Sequence, residues 1–197
     1  SDPGGVGTAV VTGADSEWRI LDGLVVGGFG QGDLTVSAGG EVTASEIYIG
    51  GFDTSIVDES IEEHPDGVGA VTVTGDNSLL QAAAPLTLYV GYSGDGTLDV
   101  LDGGAAVSQQ SYIGYETDAS GVVTISDPSS AWTVNGSLHV GHAGTGSLEI
   151  ANAATVTSGA ATIGDQTSGV GAVTVTGTGS SWSTTGELTI GAGGSGT

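Results

Sequence analysis

The chain of 197 residues sets 23 acidic side chains against a single base, Arg19, and contains neither lysine nor cysteine. Phosphate recognition needs basic contacts, so a nucleic-acid partner is excluded, and without thiols there are no disulfides or thiolate metal sites. The 38 glycines follow no Gly-X-Y period, which excludes collagen, and no apolar run approaches the ~20 residues of a membrane span, so direct membrane insertion of this segment is not expected.

Taken in order, the chain restarts one short pattern seven times, at Ala9, Leu34, Val71, Leu98, Val123, Leu148 and Val173. The intervals are 25, 37, 27, 25, 25 and 25 residues, and the blocks 123–147, 148–172 and 173–197 align without a gap. The opening residues 1–8 resemble the turn that ends the coil at 172, so a further coil is expected before them. Repetition at this period is the signature of a solenoid. Each coil starts on a three-residue strand whose outer members are mostly apolar, as in Val123/Ile125 and Leu148/Ile150. Its middle residue (Val10, Thr35, Thr72, Asp99, Thr124, Glu149 or Thr174) then faces the other way, toward water.

Eight or nine residues into each coil stands one large anchor, expected to point inward: Trp18, Val42, Leu80, Val107, Trp132, Val156 and Trp182. Large and small anchors tend to alternate, so the underlying unit is a pair of coils of about 50 residues. A third strand follows, closed in every coil by a glycine: Gly27, Gly50, Gly91, Gly114, Gly141, Gly164 and Gly191. A glycine at each strand end signals positive φ or close approach by the next coil.

One such coil has too few apolar side chains to offset the ordering of its backbone, so the coils must stack. The expected fold is all-β: a three-sided, right-handed parallel β-helix of about seven coils, with its hand set by the crossover preference. Residues 1–197 read as a single β-solenoid segment of a longer protein. It carries an acidic loop insertion at about 51–70, and Pro85 and Leu86 mark a two-residue expansion.

Three features bear on function. The insertion holds Asp53, Asp58, Glu59, Glu62, Glu63 and Asp66, which repel one another unless a cation such as calcium bridges them; simple mobility or packing is the favoured alternative. Apart from that calcium, no cofactor is expected. The outward residues of the third strand include Tyr48, Tyr89 and Tyr112 in consecutive coils, with Tyr92 and Tyr115 just beyond the turns. Such a stripe can bind sugar rings or simply brace a sheet. His139 and His142 form a conceivable metal pair, but a third ligand is not evident nearby in the sequence. The string GAGGSG at 191–196 is a solenoid turn, with no helix to make it a dinucleotide site.

The combination of VTVTG, GTGSSW (177–182), GSLHVG (136–141) and GTGSLEI (144–150) resembles the repeats of type V secretion autotransporters and of PEP-CTERM-associated surface proteins. The resemblance covers residues 5–197. Leu80 stands where the pattern has tryptophan, Asp127 where it has a turn glycine, and the acidic insertion is extra. It implies a secreted, extracellular or bacterial cell-surface stalk or adhesin segment, with no catalytic residues to carry over. Partners would be host or cell-surface glycans or proteins; the alternatives to a stalk are a glycan-binding module using the tyrosine ladder, or a self-assembling extracellular structural subunit whose partners are neighbouring copies of the chain. Enzymatic β-helices acting on polysaccharides are the contrasting class. One base and scattered acids suit that chemistry poorly, and no enzyme is expected.

Overall fold

The computed structural model describes residues 4–52, 67–83 and 87–197, and in them every regular element is a strand. The coil built from Ser120–Ser126, Ala131–Val134 and Leu138–Val140 shows the unit. Its inward side chains, Val123, Ile125, Trp132, Val134, Leu138 and Val140, are all buried. Alternation within each strand sends the intervening residues out.

Equivalent strands of successive coils pair in parallel. Among the described residues this gives one eight-stranded and two seven-stranded sheets, which wrap a single apolar core. The fold is a β-solenoid of about seven turns of about 25 residues. The outward ladder of the first sheet runs as the repeat predicts, with Val10 on Thr35, Thr35 on Thr72, Thr72 on Asp99, Asp99 on Thr124, Thr124 on Glu149 and Glu149 on Thr174. The insertion does not shift this register, since Gln31–Ser37 pairs directly with Val68–Thr74 across it. Pro85 and Leu86 lie outside the described residues.

The seven corner glycines all have φ between 69° and 76°. The first six also sit where a side chain cannot, a Cβ on Gly114 overlapping the Thr145 carbonyl and one on Gly141 the backbone of Val170, whereas one on Gly191 in the last coil would meet nothing nearer than Gly194 O at 3.5 Å. Both reasons anticipated for glycine at this corner therefore act together at the first six, and positive φ alone at Gly191.

The two-coil unit is visible in the turn between first and second strands. In the first, third, fifth and seventh coils the positive-φ residues are two apart: Gly13/Asp15, Gly75/Asn77, Asp127/Ser129 and Gly177/Gly179. In the second, fourth and sixth they are adjacent: Ala38/Gly39, Asp102/Gly103 and Asn152/Ala153. Asp127 thus adopts the conformation of the glycine it replaces. Each adjacent pair donates a backbone N–H to a serine of the next coil, Gly39 to Ser78 Oγ at 3.1 Å, Gly103 to Ser130 Oγ at 3.0 Å and Ala153 to Ser180 Oγ at 3.0 Å.

This alternation corrects one expectation. The tighter turn shortens the path to the anchor from nine residues (Val123 to Trp132) to eight (Leu34 to Val42, Leu148 to Val156). In the fourth coil the inward residue is therefore Ala106, paired with Leu80 on one side and Trp132 on the other. Val107 points outward. The exchange is physically sensible, because Trp132, which is fully buried, needs a small residue beneath it. Trp18 occupies the inward register opposite Val42 but is 41% exposed, because the outermost described coil has a neighbour on one side only. Trp182 is half-buried against the core and donates from Nε1 to Ser158 Oγ at 3.2 Å.

Gly114→Ala should destabilise the rod by more than about 2 kcal/mol, from left-handed strain plus overlap with the neighbouring strand. Gly7→Ala, where the new methyl meets nothing within 4 Å, should stay within about 0.5 kcal/mol of the parent. Urea unfolding of the two variants checks the contrast.

Candidate functional site

One side of the rod concentrates chemistry, and the repeat explains why. The middle residue of the third strand always points outward, and the residue after the corner glycine lands beside it. Stacking then turns each position into a column. The first column is Tyr48, Tyr89, Tyr112 and His139, each paired in register with the next. The second is Tyr92, Tyr115, His142 and Asp165. It is held by a backbone ladder in which Tyr92 donates to Gly50 O, Tyr115 to Gly91 O, His142 to Gly114 O and Asp165 to Gly141 O.

Within the first column the ring centroids are 5.0, 5.4 and 4.7 Å apart, with planes within 13° of parallel. Within the second, Tyr92 and Tyr115 are 4.8 Å apart and Tyr115 and His142 are 4.9 Å apart. Between the columns the rings meet edge to face, as with Tyr89 and Tyr115 at 5.0 Å and 76°, or Tyr112 and His142 at 5.1 Å and 72°. All five tyrosines singled out in the sequence are thus brought together in one herringbone strip. Phe29 and Phe52, 4.9 Å apart, form a further ring pair. The sequence reading did not single them out, although both sit two residues past a corner glycine.

This packing decides what the strip can offer. Tyr89, Tyr112 and Tyr115 each have a ring on both faces, so sugar stacking on those faces is closed. Edges and hydroxyls remain. Tyr48 donates its hydroxyl to Glu46 Oε2 at 3.0 Å. Burial, and then that glutamate, raises the Tyr48 hydroxyl well above its ordinary value. Burial pushes Tyr89 up to about 12, with Tyr115 adding to it, and raises Tyr112 as well.

At the far end the columns change from tyrosine to nitrogen and oxygen ligands. His139 Nδ1 lies 2.9 Å and His142 Nδ1 2.7 Å from the same oxygen, Asp165 Oδ2. A carboxylate only accepts, so each imidazole in this arrangement donates from Nδ1. Burial lowers the His139 imidazole below its ordinary value, against the opposing pull of Asp165. Asp165 is the third group that the sequence reading missed. It follows Gly164 as His142 follows Gly141 and Tyr115 follows Gly114, so the repeat register contained the signal. Asp53, Asp58, Glu59, Glu62, Glu63 and Asp66 lie outside the described residues.

No family model matches the chain, and no solved structure matches it. It is similar to an uncharacterized lipoprotein, YdeK, of Escherichia coli (strain K12), with 29% identity over 124 residues. The match covers 60% of this chain and 8% of the lipoprotein, so the chain spans a small fraction of that relative's length.

The buried tyrosines give a pH prediction. A phenol whose folded value lies above its unfolded value of about 10 contributes stability below pH 10 and loses it as pH rises toward the folded value. The urea midpoint should therefore hold up to about pH 10 and fall above it. Absorbance titration at 295 nm should show one late-ionising tyrosine fewer in Tyr89→Phe, at about 12.

Proposed function

We propose that this segment is a non-enzymatic stalk or adhesin rod of a bacterial cell-envelope protein, displayed at the cell surface. The observation that carries the proposal is the unbroken register: three parallel sheets pass through every described coil, and even the insertion leaves the pairing across it intact. Such an element holds length and direction. At a layer spacing of about 4.8 Å, seven coils make a rod about 34 Å long. Occurrence of a related segment in a lipoprotein supports a cell-envelope location.

Catalysis is the weaker reading. The single base, Arg19, is exposed and tied to Glu17 at 2.6 Å. Most described carboxylates are spread over successive coils, as on a solvated surface. Sugar binding on the tyrosine strip would have to use ring edges and hydroxyls, because the inner ring faces are taken.

The test uses the complete protein in cells. An epitope inserted at the exposed turn around Pro128 should be labelled on intact bacteria and removed by added protease. Labelling that needs permeabilised cells would overturn surface display. Changing Tyr48, Tyr89 and Tyr112 together to serine should lower stability by more than about 3 kcal/mol through loss of the ring contacts. A variant that keeps full stability and loses binding to glycan arrays would favour the sugar-binding module instead.

A further inference from the structure

We propose that His139, His142 and Asp165 form a three-ligand site for a divalent transition-metal ion of the zinc type, with a fourth position open to water or an external donor. The three groups come from two successive coils, and their ligand atoms all lie within 4.8 Å of one another. The donor set of two imidazoles and one carboxylate suits a borderline ion rather than calcium, which takes six to eight oxygens.

The site is preorganised by the columns that lead into it. His139 lies flat on Tyr112 at 4.7 Å and 13°, and His142 lies flat on Tyr115 at 4.9 Å and 11°. The two imidazoles are nearly perpendicular, 84° apart, with centroids separated by 5.7 Å. Their Nδ1 atoms approach one carboxylate oxygen from different directions, so the three donor atoms are already gathered at one place. Zinc bonds of about 2.1 Å place neighbouring donors about 3.4 Å apart in a tetrahedron. The present 2.7 and 2.9 Å contacts would then open by roughly half an ångström. Ligation through Nδ1 leaves the hydrogen of each imidazole on Nε2. All three side chains are about one-fifth exposed, so an ion can enter. A shallow hollow lined by Tyr115, Glu116, Thr117, His142 and Ala143 adjoins the site, giving room for the fourth donor.

The bland alternative is a hydrogen-bonded cap that closes the two columns without a metal. Zinc titration of the whole 197-residue chain by calorimetry, with cobalt as a spectroscopic probe, separates the two. The proposal expects one tight equivalent of zinc, a tetrahedral cobalt absorption band, and a rise in Tm on adding zinc. His142→Gln and His139→Gln should lose the tight equivalent and the cobalt band while circular dichroism shows the coils intact. Asp165→Asn keeps a hydrogen-bond acceptor and should weaken zinc at least tenfold. Absence of tight zinc binding in the parent would overturn the site. So would a tight equivalent that survives both histidine changes but disappears on changing the third histidine of the chain, His64 in the acidic insertion, to alanine, or one carried by the acidic surface and displaced equally by calcium.

Discussion

Everything in this rod depends on parallel pairing between equivalent strands of successive coils. A single coil has three short strands whose N–H and C=O groups point along the rod axis, where it cannot satisfy them itself. Its inward side chains, such as Val123, Ile125, Trp132 and Val140, likewise have no floor or ceiling without neighbours. Stacking solves both problems at once. The requirement is strict about register, because a slip of one residue would turn every inward side chain out. Extra residues between strands, as between Ile49 and Val68, are therefore tolerated while the pairing of Gln31–Ser37 with Val68–Thr74 is preserved.

The same constraint writes the surface. Once register is fixed, a residue type repeated at one coil position becomes a column with a spacing close to that of stacked aromatic rings. Tyr48, Tyr89 and Tyr112 need no further device to meet face to face, and Tyr92 and Tyr115 then fill the angle beside them. The columns brace this face of the rod, yet they also spend the ring faces that a ligand would use. The chemistry of the strip changes where the column stops repeating tyrosine, at His139, His142 and Asp165.

Much of the fold was legible because the information is repeated. Coil starts, corner glycines and the outward threonine ladder each recur, so chance matches average away. Val107 was misplaced because the turn before it belongs to the shorter of two alternating types, and a nine-residue count carried over from Trp132 overshoots by one. The adjacent pair Asp102/Gly103 held the correction. Asp165 escaped for a different reason. It lies 26 and 23 residues from its histidine partners, and a search for metal ligands at local spacing does not look one coil ahead. A sequence whose pattern is set by stacking carries little that is specific to what the rod holds or touches, so no partner class can be read from it.

The absence of cysteine makes the central claim directly testable by pairs of introduced thiols. Thr124 and Glu149 are register partners in adjacent coils, with Cα atoms about 4.8 Å apart, inside the range a disulfide spans. Thr124 and Thr174 lie two coils apart, about 10 Å, outside it. Mild oxidation of the Thr124→Cys/Glu149→Cys variant should give an intramolecular disulfide in high yield, and the Thr124→Cys/Thr174→Cys variant should remain reduced. Equal cross-linking in the two variants, or cross-linking in the second alone, would contradict the stacked parallel register.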